Sequence, residues 1–323
     1  MPLRKILFQP GVNKEGTEYS ADAGWYDSDK VRFRKGRPEK IGGWSKYSPE
    51  SFLGVCRSIH DWASLESIRY IGLGTHLKFY VNEGSSFNDV TPIRSTTSAG
   101  DVTFSATNGS STITATDTSH GATVNDFVTF SGSASLGGNV TAAVLNLEYQ
   151  IASVPTANTF TFVAKDSNGN TITANASDSG NGGSSVVGAY QISTGLNTYL
   201  EGTGWGADTF GAGTFGSSSA ISSSNQLRLY TQDNFGEDLI FNVRGGGVYY
   251  WDESSGTSAR AVDLSSLSSP SNTPTGALQV MVSDIDQHVI CFGVNAIGSS
   301  TIDPLFIRWS DQESAADWTP TAT

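Results

Sequence analysis

Apolar strands broken by glycine or polar residues recur along this chain, and one such strand pair appears three times. Ile68-Arg69-Tyr70-Ile71-Gly72-Leu73-Gly74 runs into Leu77-Lys78-Phe79-Tyr80-Val81. Leu239-Ile240-Phe241-Asn242-Val243 passes through Gly245-Gly246-Gly247 into Val248-Tyr249-Tyr250-Trp251-Asp252. Val289-Ile290-Cys291-Phe292-Gly293 leads, after a polar loop, into Leu305-Phe306-Ile307-Arg308-Trp309-Ser310. Each unit is an apolar strand, a glycine-rich or polar break, and a second strand rich in aromatics. Degenerate return of one supersecondary unit marks arrays and propellers. No long stretch carries apolar residues at helical spacing, so the chain reads as all-β.

The pattern changes between about 93 and 192. Ser, Thr, Ala, Asn and Gly dominate there, and short strands such as Phe127-Val128-Thr129-Phe130 and Phe160-Thr161-Phe162-Val163 follow one another between turn signals. Strands spaced at about 8–12 residues predict a small sandwich or barrel. Four segments result: 1–92 and 225–323 as the two parts of a β-propeller-like scaffold, 93–192 as an inserted β-sandwich or β-barrel module, and 193–224 as an arm or loop rich in Gly, aromatics and Ser. In that arm Trp205, Phe210 and Phe215 recur every five residues within glycine. Glycine supplies no packing, so the aromatics either clasp a neighbouring subunit or decorate a mobile surface loop. A propeller needs at least four blades, and three or four are legible here. The chain is therefore expected to be part of a longer polypeptide.

Composition narrows the class. Only 15% of the 323 residues are charged, and 36 are glycine. The net charge is −12 and unevenly spread. Residues 1–94 hold 14 Lys and Arg against 11 Asp and Glu, and residues 95–323 hold 5 against 20. The acidic remainder argues against a general nucleic-acid coat but leaves room for a local basic patch. The first eight residues hold too short an apolar run for a signal-peptide core, and no run reaches the length of a membrane span. The chain is expected to be made in a cytoplasm and not conventionally secreted.

Candidate chemistry is sparse. Cys56 and Cys291 each sit in an apolar run and read as small buried hydrophobes. His60, His76, His120 and His288 are scattered, without a second ligand at metal spacing, and read as turn or surface residues. Gly211-Ala-Gly213-Thr-Phe-Gly216 matches a dinucleotide pattern but lacks the flanking strand and helix that cradle phosphate. Asp166-Ser-Asn168-Gly169-Asn170 opens like a calcium loop, yet Thr171 and Ser177 stand where the turn glycine and bidentate Glu belong, so a hairpin turn fits better. No catalytic residue, metal or cofactor is predicted. Ser310–Trp318 resembles the Asp-box turns of sialidase-type propellers, which are structural.

One cluster stands out: Lys30, Arg32, Arg34, Lys35, Arg37 and Lys40, with Glu39 as the only acid among them. Arg32 and Arg34 alternate with Val31 and Phe33 and so project from one strand face. Such a face either stays solvated and discourages edge pairing, or faces DNA phosphate or an acidic neighbour.

The opening Phe8-Gln-Pro-Gly-Val12-Asn13, the run Gly24-Trp25-Tyr26-Asp27 through Lys30-Val31-Arg32-Phe33-Arg34-Lys35-Gly36 to Gly42-Gly43-Trp44, the aromatic-glycine repeat at 204–216 and Asp233-Asn234-Phe235-Gly236-Glu237-Asp238 resemble virion structural proteins of tailed bacteriophages. Within these, the chain is most similar to the tail nozzle, or packaged-DNA stabilisation, protein of short-tailed phages. The likeness covers 1–92 and 202–323. It implies a non-enzymatic tail protein in a homo-hexameric ring, with portal and adaptor proteins, tail fibres or spikes and genomic DNA as partners. It also implies a place in the virion tail after synthesis in the bacterial cytoplasm. On that reading the basic cluster faces DNA or the adaptor, and Trp205, Phe210 and Phe215 form an intersubunit clasp. The alternative is a receptor-binding or glycan-cleaving tail protein, with Trp205, Tyr249, Tyr250 and Trp251 stacking on sugars.

Overall fold

The computed structural model describes residues 9–17, 19, 23–43, 45–178, 180–195 and 229–320. It divides into two units, Met1–Pro49 and Glu50–Thr323. The Trp205, Phe210 and Phe215 arm and the Gly211–Gly216 motif lie outside the described residues.

The smaller unit is built on one hairpin, β1 (Val31–Arg34) and β2 (Arg37–Lys40). Lys35 and Gly36 both take positive φ, 49° and 73°. That is the turn whose twist matches a two-residue hairpin. Trp25 makes a parallel bridge to Val12, and its ring lies 6.1 Å from that of Phe33.

The larger unit contains three antiparallel meanders. The first sheet joins β3 (Cys56–Ala63), β4 (Arg69–Thr75), β5 (Phe79–Glu83) and β6 (Ser86–Asp89) in sequence order. After it, eight strands form the sandwich: β7 (Ile93–Thr96), β8 (Thr103–Ala106), β9 (Thr112–Thr116), β10 (Phe127–Ser131), β11 (Glu148–Gln150), β12 (Ser153–Thr156), β13 (Thr159–Val163) and β14 (Val187–Gln191). The middle sheet is β15 (Tyr230–Phe235), β16 (Asp238–Val243), β17 (Val248–Trp251) and β18 (Val262–Asp263). The last sheet has three strands: β19 (Ala277–Val282), β20 (Val289–Asn295) and β21 (Ile302–Trp309). All three predicted strand pairs are present, as β4–β5, β16–β17 and β20–β21.

Strand periodicity explains the stacking. In a strand, alternate residues face opposite sides. Leu239, Phe241, Val243, Tyr249 and Trp251 of the middle sheet pack on Trp62, Tyr70, Phe79 and Val81 of the first. Ile240, Val248 and Tyr250 pack the other way, on Val280, Val282, Val289 and Cys291 of the last. The middle sheet thus has both faces buried, which is why β16 reads as an almost unbroken apolar run.

A buried asparagine recurs at the end of one strand in each meander. Asn82, Asn242 and Asn295 are at most 2% exposed. Each donates its side-chain N–H to the carbonyl four residues on: Ser86 at 2.7 Å, Gly246 at 3.2 Å and Ser299 at 2.7 Å. The side chain satisfies a turn carbonyl that burial would otherwise orphan.

The sandwich has its own core. Sheet β11–β10–β14–β7 faces sheet β12–β13–β9–β8, and Phe104, Phe130, Phe160, Phe162 and Tyr190 fill the space between them. The Phe104 and Phe130 rings meet edge to face at 4.8 Å, a favoured aromatic geometry.

The turn at 310–318 is a structural brace. Trp318 is buried against the last sheet and donates its indole N–H to the Ala315 carbonyl at 2.9 Å, while Asp317 bridges to Ser271. The Asp166 loop is an exposed turn in which Asp166 accepts from the Asn168 and Asn170 amides at 2.9 and 2.8 Å. The bond from the Asn170 side chain, with those from the backbone amides, holds its carboxyl below the ordinary carboxylate range.

Candidate functional site

The basic cluster is resolved into two faces by the hairpin register. Arg32 lies opposite Glu39 and Arg34 opposite Arg37, so these four share one face. Val31 lies opposite Lys40 and Phe33 opposite Pro38, giving an apolar face with Lys40 at its margin. Lys35 occupies the turn, and Lys30 immediately precedes β1. Arg32 and Glu39 form an exposed ion pair at 3.3 Å, which contributes little to stability. Arg34 and Arg37 carry no ion pair among the described residues. Two like charges directly opposite each other are destabilising. An anion from outside this unit would relieve them.

A second charged cluster was not anticipated from the sequence. Lys78, 5% exposed, donates to Asp89 at 2.7 Å and to Glu148. Arg260 lies 3.2 Å from Asp89 and 3.5 Å from Glu148, and donates to the Thr91 carbonyl at 2.7 Å. Gln191 donates to Glu148 at 2.5 Å, and the Lys78 ammonium sits 4.6 Å from the Phe127 ring centre. Burial pushes the Asp89 carboxyl upward, but the Lys78 and Arg260 charges, with bonds from Lys78 and Thr91, outweigh it and hold the group below its ordinary value. Lys78 closes the turn from β4 into β5 and Asp89 ends β6. Glu148 starts β11 of the sandwich, and Arg260 lies in the loop before β18. Two cations and two anions therefore join first sheet, sandwich and middle sheet at one point. Lys78 is buried and its three partners are half-buried, so the cluster ties these elements together at one partly solvated point.

Several sequence expectations change. Cys56 is exposed, because it opens β3 at a sheet edge and β4 covers it on one side only. Cys291 is buried in β20, and burial pushes its thiol up to about 12. His120 is a core residue, 6% exposed, stacked edge-on to Phe160 and accepting from the Ala122 amide at 3.0 Å. Tyr249 and Trp251 are buried in the contact between first and middle sheets, so neither can stack on a sugar. Tyr250 is half-buried and donates to Asp238. Asp252 caps the following helical turn through the Ser254 amide at 2.9 Å, and Glu253 accepts from the Tyr70 hydroxyl at 2.8 Å. Those contacts give both acids a structural role.

The last sheet has one uncovered face. Cross-strand register aligns Met281, Ile290 and Trp309 in one row, and Gln279, Phe292 and Ile307 in the next. Trp309 is 62% exposed, Ile307 49% and Met281 39%. The opposite side of β21 carries Arg308, buried over the Trp318 ring at 5.8 Å and bonded to the Asn295 carbonyl at 3.1 Å. β21 is also an edge strand, and a cleft of about 340 Å3 bounded by His288, Phe306, Trp309, Asp311 and Pro320 runs beside it.

No family model and no curated protein matches this sequence. Among solved structures, the phage phi92 endosialidase aligns over 85% of this chain and 40% of its own length, with 13% identity and a TM-score of 0.23. The chain thus spans well under half of that protein. Similarity of this size defines no activity.

Proposed function

We propose that this chain is a non-enzymatic structural protein of a bacteriophage tail, of the nozzle type. It would form a ring below the portal and adaptor, continue the DNA channel and help retain or release the genome. The resemblance over 1–92 and 202–323 motivates the class. The observation that carries the mechanism is Arg34 standing directly opposite Arg37 beside a third arginine, Arg32, on an exposed hairpin of an otherwise acidic chain. Phosphate oxygens accept from guanidinium in a bidentate fork, and a row of three arginines matches a polyanion or an acidic adaptor surface. The same pattern recurring around a ring would line a channel with positive charge and hold DNA without reading its sequence.

The Lys78–Asp89–Glu148–Arg260 cluster ties the sandwich to the stacked sheets, as a decoration on the ring's outside would require. The test uses phage carrying this gene with Arg32→Glu and Arg34→Glu. Immunogold labelling is expected on the tail, and the variant particles are expected to assemble yet lose packaged DNA. Absence of label from virions would remove the tail assignment. Unchanged DNA retention and unchanged adaptor binding would remove the role of the arginine face.

A further inference from the structure

We propose that the uncovered face of the last sheet and the open edge of β21 receive the β1–β2 hairpin of a second copy of this chain. The inference deepens the ring reading by naming the two surfaces that meet.

The receiving face is incomplete as it stands. The first and middle sheets have four strands each, and the last has three, ending on the eight-residue β21. Trp309, Ile307, Phe292, Ile290 and Met281 make a continuous apolar surface beside that edge. Exposed apolar patches of this kind mark interaction sites, and an unpaired edge accepts an added strand.

The hairpin lacks what the face offers. Among the described residues of Met1–Pro49 only Ser48 is buried. A lone two-stranded hairpin is marginal in water. Its Val31, Phe33 and Pro38 face, half-buried at Val31 and Phe33 and extended by the Trp25 ring beside Phe33, has the apolar character of the receiving sheet.

Charge selects this occupant. Residues 264–320 carry six acids, Asp284, Asp286, Asp303, Asp311, Glu313 and Asp317, against the single Arg308, which is buried on the other side. Residues 30–40 carry six basic residues against Glu39 alone. With the apolar face seated, Lys40 at its margin and Lys30 and Lys35 at its ends would meet this acidic segment, of which Asp311 bounds the cleft beside β21. Arg32, Arg34 and Arg37 then remain outward. Each copy offers one hairpin and one receiving face, so the contact is head-to-tail and closes into a ring when the rotation permits.

The test is cross-linking of the chain in a Cys56→Ser background, with Lys40→Cys, at the margin of the seated face, and Leu305→Cys joined by a short bis-maleimide. Bonds between copies, giving a ladder of multiples on a denaturing gel, are expected, together with loss of the ladder on adding Phe33→Ser or Ile307→Ser. A bond closed within one copy would overturn the proposal, as would no bond at all. A chain that still forms a defined oligomer without this cross-link would overturn the docking while leaving the tail function standing. Tail labelling that fails while the ladder forms would do the reverse.

Discussion

The rings of Phe79 and Phe241 stack with centroids 3.8 Å apart and planes within 3° of parallel, and through them the first and middle sheets meet. Close approach here depends on β4. A Cβ at Gly74 would come within 2.6 Å of the Tyr230 ring. Glycine lets one backbone lie against a neighbouring aromatic.

Phe241→Ala is therefore expected to destabilise the larger unit by about 3–5 kcal/mol, the range for a buried aromatic truncated to Ala. Gly74→Val is expected to cost about 1–3 kcal/mol through overpacking. Urea titration of the full chain measures both.

The ionic cluster predicts a change with acid. Asp89 is held below its ordinary value of 3.8 in the folded chain. Its contribution is therefore complete above that value and is lost as pH falls below it. Melting temperature is expected to drop between about pH 4 and pH 2 more steeply for the parent than for Asp89→Asn. At neutral pH, Glu148→Gln is expected to cost about 1–2 kcal/mol, because Lys78 loses one charged partner and keeps Asp89 at 2.7 Å. Equal melting curves for parent and variant would contradict the assigned geometry.

Asn242 donates to the Val243, Gly246, Gly247 and Ala277 carbonyls at 2.9–3.2 Å. Asn242→Leu would leave those buried oxygens without this donor, at an expected cost of about 1–3 kcal/mol. Hydrogen exchange should locate the loosening at the Gly245–Gly247 turn and the start of β19.

The cysteines give a quick check of the burial pattern. Cys56 is expected to react with a maleimide in the native chain, and Cys291 only after denaturant is added. Equal labelling of both in the native state would contradict the placement of β20.

The sequence made some of this architecture legible and hid the rest for physical reasons. The strand pairs around Phe79, Phe241 and Cys291 were visible because apolar residues and glycine turns are local signals. The weak fourth strands were not: β18 is only Val262–Asp263 and β6 only Ser86–Asp89. Lys78, Asp89, Glu148 and Arg260 could not be grouped, since they come together only through folding. Asn82, Asn242 and Asn295 did carry a signal, an asparagine ending an apolar strand two or three residues before glycine. Tyr249 and Trp251 read as sugar platforms because a strand pattern does not say whether one face or both is covered. The basic hairpin was located by alternation, but only the register separated its arginine face from its apolar face.

The most direct test of the account is the native mass of the full chain, measured by light scattering across a range of concentration and salt. A head-to-tail ring predicts a discrete closed oligomer, about six copies on the resemblance to nozzle proteins, reduced to monomer by Ile307→Ser with Trp309→Ser. A strict monomer at every concentration, or an oligomer indifferent to those two changes, would contradict it.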